Sequence, residues 1–217
     1  MPFTDKNTVV VLDLDDTIYK EIDFLKSAYQ YIAFKLEDEL GHNIYHKMWS
    51  LYLEGKSTFD IIKSEYQFKP SISDLVDWYR VHQPTLKLDP NTEGWLEKLK
   101  NDSKAVGLIT DGRSRSQRNK LKALGLSDFF DAIIISEEFG SSKPNLDNFS
   151  FFQKKYADAK KFIYIGDNLA KDFIAPNQLG WLSCCLKDNG QNIHNQNIRY
   201  SDLQKPTFFI ENLNDIR

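Results

Sequence analysis

The residues of this chain best suited to chemistry sit behind one apolar run. In VVVLDLDDT the aliphatics of residues 9–12 are followed by Asp13, Asp15, Asp16 and Thr17. Two carboxylates at i and i+2 that leave the same strand end repel each other by about 1 to 4 kcal/mol at 4 Å, depending on the effective dielectric. Positive charge must offset that repulsion, and a divalent cation with a basic side chain from elsewhere is the simplest source. Three further apolar runs lead into polar groups of the right kind. GLITDG carries Thr110, Asp111 and Gly112, SSKPN carries Lys143, and FIYIGDNLAKD carries Gly166, Asp167 and Asp172. Mg2+ takes one or two carboxylates together with a substrate phosphate, so this set suits metal-assisted phosphoryl transfer. Of two acids so close together, one can attack while the other handles protons.

These groups converge only if parallel strands carry them to one edge. Residues 9–12, 105–109, 132–135, 162–165 and 181–186 read as short strands, and helices are predicted over 92–100, 115–124 (closed by Gly125) and 148–156. Pro176 is tolerated only in a first turn, so the next helix is placed from near Ile174 to Gly180. The β-α order predicts an α/β fold, a Rossmann-like, doubly wound parallel sheet whose ligand site lies at the carboxyl ends of its strands. Residues 187–205, rich in Asn and Gln, read as a long loop, followed by an edge strand over 207–210 and a short helical tail.

Strand alternation is absent from residues 20–80. There Phe24, Ala28, Tyr31, Ile32 and Leu36 recur at helical spacing, which predicts an all-helical insert. Breaks near Gly41, residues 55–56 and Pro70 divide it into about four helices. Its far boundary is HQPTLKLDPN, where Pro84 and Pro90 interrupt any helix. The expected division is a core of residues 1–19 and 91–217 with a helical cap of residues 20–90.

Composition narrows the function. The 217 residues are 41% hydrophobic and 27% charged, ordinary for a soluble globular protein. A net charge of -3 and a pI near 5.8 argue against a nucleic-acid partner and leave small-molecule chemistry as the expectation. Residues 1–8 lack the basic stretch of a signal peptide, and the run after them is too short for a membrane span, so a cytoplasmic protein is expected. Cys184 and Cys185 are adjacent in a predicted strand and point to opposite faces, which fits two reduced, buried thiols.

Taken in order, the motifs resemble those of the haloacid dehalogenase-like hydrolase superfamily. DxDxT after an apolar strand appears as Asp13-Leu14-Asp15-Asp16-Thr17, the strand-end hydroxyl as Thr110, the loop lysine as Lys143, and GDxxxxD as Gly166-Asp167 with Asp172. The resemblance extends over essentially the whole chain. It implies that Asp13 is the nucleophile that becomes an aspartyl phosphate. Asp15 would protonate the leaving group and then activate the hydrolytic water. Thr110 and backbone N–H groups near Gly112 would hold phosphate oxygens, and Thr17, Asp111 and Arg113 complete the candidate substrate-binding set. Lys143 would neutralise phosphate and nucleophile. Asp167 would ligate Mg2+ with Asp13 and the main-chain carbonyl of Asp15, while Asp172 would orient the metal's water or Lys143. The insert falls where the superfamily's first-type helical cap sits, and there is no room for a second-type cap between Gly112 and Lys143. Leu146 departs from relatives that often carry a second proline there.

An acid at position 15 implies an oxygen leaving group. The expected activity is a Mg2+-dependent phosphatase acting on a phosphomonoester of a small metabolite, a sugar phosphate or a nucleotide. A phosphomutase is the alternative within the superfamily, and a receiver-like phospho-binding regulatory module is the alternative from another class. Among the remaining residues, Asp16 reads as a turn or helix-start residue. Arg113, Arg115, Arg118, Lys120 and Lys122 read as a solvated helix face, with Arg113 or Arg115 able to steer an anionic substrate. His42 and His46 read as exposed cap residues rather than a metal pair. Trp49, Tyr52, Phe59, Tyr66, Phe68, Trp78 and Tyr79 read mostly as cap core.

Overall fold

The structure, a computed structural model, describes residues 4–216; sequence-based expectations for residues 1–3 and 217 lie outside them. Strand β1 (Thr8–Leu12) is buried along its whole length, as a β-branched run must be at the centre of a parallel sheet covered on both faces. After it come helices α1 (Glu21–Leu40), α2 (Tyr45–Leu53), α3 (Thr58–Tyr66) and α4 (Ile72–Val81). The chain then runs through α5 (Pro90–Asp102), β2 (Ala105–Thr110), α6 (Ser114–Ala123), β3 (Ala132–Ile135), α7 (Ser136–Phe139) and α8 (Leu146–Lys155). It ends with β4 (Lys161–Gly166), α9 (Ile174–Gln178), β5 (Leu182–Leu186) and β6 (Phe208–Ile210).

The six strands form one sheet in the order β3-β2-β1-β4-β5-β6, and every pairing is parallel. This is the α/β, Rossmann-like, doubly wound architecture expected from the sequence. The chain moves outward from β1 through β2 and β3, then crosses back to β4 and continues the other way. The crevice at this reversal lies beyond the carboxyl ends of β1 and β4, where Asp13 and Asp167 stand.

Period-two alternation assigns the two cores. Val10, Leu12, Val106, Leu108, Ile163 and Cys184 pack on one face with Trp95, Leu96 and Leu99 of α5 and Leu121 of α6. Val9, Val11, Ile109, Tyr164 and Cys185 pack on the other with Phe149 and Phe152 of α8 and Phe173. The two thiols are thus free, buried and on opposite faces. Helices α1–α4 close around a separate cluster that includes Ile32, Leu36, Met48, Ile62, Phe68 and Leu75. Gly41, in the left-handed region, ends α1 by donating its N–H to the Glu37 carbonyl. Of the seven insert aromatics named above as mostly core, Phe68 is fully buried and the other six pack half-buried around this cluster.

Several boundaries shift for local reasons. Pro90 does not interrupt a helix but opens α5 at its first position, with the Asp89 side chain accepting from the N–H groups of Asn91 and Thr92. Asn145 caps α8 in the same way through Asp147, so that helix starts at Leu146. Helix α6 begins one residue early, β5 and β6 one residue late, and α7 is too short to show a period. No described helix is long and apolar enough to cross a membrane.

Gly107 lets the sheet and α8 approach. A Cβ on this β2 residue would overlap the ring of Phe152. Gly107→Ala is expected to lower stability by about 1–3 kcal/mol, read from the urea midpoint, and adding Phe152→Leu should recover part of the loss. An alanine variant as stable as wild type would show that the sheet and helix spacing relaxes freely.

Candidate active site

The centre of the crevice is the ammonium of Lys143. It lies 2.8 Å from Asp13 Oδ1 and 2.8 Å from Asp172 Oδ1, and donates to the Tyr164 hydroxyl at 3.1 Å. Each partner is fixed by backbone. The Asp13 N–H donates to the Ile165 carbonyl at 2.8 Å, extending the pairing of β1 with β4. Asp172 Oδ2 accepts from the N–H groups of Asp167 (3.2 Å) and Asn168 (3.0 Å). Gly166 makes that possible, because a Cβ there would overlap the Asp172 carboxylate. The Lys143 N–H in turn donates to Asp111 Oδ1 at 3.0 Å, and Asp111 pairs with Lys171 at 2.8 Å.

Charge in this crevice is unbalanced. Asp13, Asp167 and Asp172 are buried and offer ligand oxygens all within 4.8 Å of one another, the one such group among the described residues. Burial pushes Asp13 up to about 7; Lys143 opposes the shift and Asp172 adds to it. Burial, with the negative charges of Asp172 and Asp13, pushes Asp167 up to about 9. Lys143 is held well above its usual range by Asp13 and Asp172, although burial alone would lower it. With one ammonium between them, the three carboxylates ionise together only when further positive charge joins them, and an all-oxygen donor set fits a divalent cation. The carboxylate of Asp15 is not in this group.

Asp15 instead faces α6. Its Oδ1 accepts from the Tyr19 hydroxyl at 2.5 Å and from Lys120 Nζ at 2.7 Å, and its Oδ2 accepts from Lys120 at 2.9 Å and Gln117 Nε2 at 2.9 Å. Burial would raise the Asp15 pKa, but Lys120, Tyr19 and Gln117 outweigh it and hold the carboxyl below its usual range. Here the expected solvated helix face is corrected. Lys120 is only 3% exposed, because the period of α6 turns Ser116, Gln117, Lys120 and Leu121 inward, and its ammonium lies 4.4 Å from the centre of the Phe24 ring. Arg115, Arg118 and Lys122 remain exposed. Arg113 pairs with Glu137 and Arg118 with Glu138, each at 2.6 Å.

A cavity of about 70 Å³ opens between these groups, lined by Asp13, Asp15, Glu21, Thr110, Asp111, Lys143, Asp167, Asn168, Lys171 and His194. Thr110 accepts from Gln117. Burial and the Asp15 charge push Glu21 up to about 7. Three expected binding residues lie outside the cavity. Thr17 is buried and lines a different pocket with Lys20 and Lys87, the Gly112 N–H is taken by Ser136 Oγ at 2.9 Å, and Arg113 is on the exposed surface next to Gly112. Asp16, in the left-handed region, accepts from the N–H of Glu21 (2.9 Å) and so starts α1 as a turn residue would. His42 and His46 join no metal-type group among the described residues.

The loop after β5 contributes more than its sequence shows. Asn192 Nδ2 donates to Asp167 Oδ2 at 3.0 Å, Gln196 Nε2 donates to the Asp167 carbonyl at 2.8 Å, and the Ile193 N–H donates to Asp16 Oδ2 at 2.9 Å. Polar composition alone marks such a stretch as loop and cannot say that it folds back. For Gln117 and Lys120 a signal did exist: with Leu121 and Leu124 they fall on one helical stripe.

Lys143→Met is expected to destabilise the protein by about 3–5 kcal/mol, because it leaves buried carboxylates without their cation. Thermal melts should also show a larger stabilisation by MgCl2 in the variant than in wild type. A loss below about 1 kcal/mol would mean that the carboxylates do not depend on the lysine.

Comparison with known proteins gives the family of the chain. The haloacid dehalogenase-like hydrolase family matches residues 10–185. Over 189 residues the chain is 32% identical to a glyceraldehyde 3-phosphate phosphatase of Methanocaldococcus jannaschii, covering 80% of this chain and 82% of that one. Over 99 residues, 45% of this chain and 44% of the other, it is 32% identical to the pyrimidine 5'-nucleotidase YjjG of Escherichia coli. Among solved structures, the magnesium-bound HAD-hydrolase YfnB of Bacillus subtilis superposes with a TM-score of 0.67 at 21% identity, over 96% of each chain. The chain belongs to the haloacid dehalogenase-like hydrolase family.

Proposed function

We propose that this protein is a Mg2+-dependent phosphatase that hydrolyses a phosphomonoester of a small metabolite through an aspartyl phosphate on Asp13. The observation that carries the reading is one cavity faced by two acids with separate cations, Asp13 on Lys143 and Asp15 on Lys120. A carboxylate oxygen of Asp13 bonds to phosphorus as the bond to the leaving oxygen breaks, and that oxygen takes its proton from Asp15, which must first carry one against the pull of Lys120. Asp15 then takes a proton from water, whose oxygen displaces Asp13 from phosphorus and restores both acids. Lys143 and the Thr110 hydroxyl hold phosphate oxygens as they move. Asp13, Asp167 and the main-chain carbonyl of Asp15 would hold Mg2+, with Asp172 supporting; when bound, the ion would neutralise charge on the phosphoryl group.

Asp111 serves the substrate indirectly by fixing the Lys143 backbone. Thr17, Gly112 and Arg113 would act only on a substrate reaching beyond the cavity. The division into a core of residues 1–19 and 91–217 and a cap of residues 20–90 is supported by the separate apolar cluster of α1–α4. Such a cap would exclude water, with Glu21 of α1 already lining the cavity. Two buried free thiols support placement in the reducing cytoplasm.

The names of the two relatives bracket a sugar phosphate and a nucleotide. Among the described residues no Phe, Tyr or Trp lines the cavity, whose one ring is the His194 imidazole; base stacking, worth about 1–3 kcal/mol, has no large aromatic platform there, which favours the sugar phosphate. Phosphate release should therefore be faster from glyceraldehyde 3-phosphate than from pyrimidine nucleoside monophosphates. Release should stop on chelation and fall at least about a thousandfold in Asp13→Asn. Undiminished release in Asp13→Asn would remove the nucleophile assignment; dependence on a bisphosphate activator, with slow release, would indicate a mutase.

A further inference from the structure

We infer that Lys120, with Gln117 and Tyr19, is the positioning group for Asp15: a clamp of three donors that fixes the carboxylate assigned above to hand a proton to the leaving oxygen. The inference rests on the phosphatase reading above. A carboxylate offers about four lone-pair sites, and here all are taken. Oδ1 accepts from Tyr19 (2.5 Å) and Lys120 (2.7 Å), Oδ2 from Lys120 (2.9 Å) and Gln117 (2.9 Å). Asp15 therefore has a single orientation while it still lines the cavity with Asp13.

The clamp is itself tightly held. The Lys120 ammonium lies 4.4 Å from the Phe24 ring centre and 3.8 Å from Glu21 Oε1, both on α1. Its neighbour Asn119 donates to the carbonyls of Val81 (3.1 Å) and His82 (2.9 Å) at the end of α4. The aim of Asp15 is thus tied to the seating of the helical insert on α6. Proton exchange needs one of the four contacts to open. Gln117 is the donor with a second acceptor ready, since its amide also reaches Thr110 Oγ1. A phosphate that engages Thr110 would disturb that shared contact first.

The clamp matters only where the leaving group needs a proton. In the first step the Asp13–phosphorus bond forms, the phosphorus–oxygen bond to the leaving group breaks, and the proton passes from Asp15 to an alkoxide. A 4-nitrophenolate leaves without one. Values of kcat/KM report that step when release of the leaving group is irreversible. Lys120→Met, which keeps the stem under Phe24, should lower kcat/KM for glycerol 3-phosphate about a hundredfold and for 4-nitrophenyl phosphate less than about threefold. Lys120→Arg, which keeps charge and a double contact, should recover most of the difference. Should Lys120→Met fail to fold, Tyr19→Phe carries the same test with a smaller loss in the same direction. Wild type active on both esters, with an equal loss on both in the variants, overturns the clamp alone. Wild type inactive on both, with Mg2+ present, overturns the phosphatase reading and the clamp with it.

Discussion

Everything in this molecule is arranged around one buried ion triplet, the Lys143 ammonium between Asp13 and Asp172. Ions taken out of water lose several kcal/mol of solvation each, and only close, well-directed partners offset that loss. The partners come from three separate crossings of the sheet: the end of β1, the loop after β3, and the turn after β4. No local motif could bring them together. A parallel sheet with β1 at its centre does so because all its strands end on the same side. The apolar packing on both faces, with Phe152 pressed against Gly107 and Trp95 against the opposite face, keeps those ends in register.

The second cation divides the labour between the acids. Asp13 and Asp15 are two residues apart, yet one meets Lys143 from the loop after β3 and the other meets Lys120 from α6. Strand alternation alone would put residues two apart on the same side, but β1 ends at Leu12, and beyond it each acid finds its own counter-charge and its own environment. Burial lifts Asp13 to about 7, whereas hydrogen-bond donors keep Asp15 low. Two like groups only two residues apart thereby sit in different electrostatic environments.

Much of the fold was legible because the strands are uniform. Runs such as residues 9–12 and 162–165 are buried on both faces, and their β-branched, aliphatic character is strong. The carboxylates at the crevice were legible for a related reason, since Asp13, Asp167 and Asp172 stand directly after such runs. Lys120 was missed, because a lysine on a charged helix is ordinarily solvated; the stripe it shares with Leu121 and Leu124 was the available signal, and the packing of Phe24 from a distant helix shows the burial. Pro90 misled for the opposite reason: proline breaks helices in their interiors but opens them at the first position, and only the Asp89 cap tells the two cases apart. Asn192 and Gln196 lie in a stretch without period, where composition predicts loop and nothing predicts the direction in which it turns.

That returning loop sets the order in which the protein can become competent. Asp16 and Ile193, joined by a hydrogen bond, are separated by 177 residues, so the contact closes only once the chain beyond β5 is in place. Until then the carboxylates of Asp16 and Asp167 lack the amides of that loop. Long-range pairings of this kind slow folding, because the entropy of closing the chain precedes any gain from the contact. A chain interrupted before β5 would therefore leave Asp16 and Asp167 without their loop partners, in a state open to chaperones and proteases rather than ready for substrate.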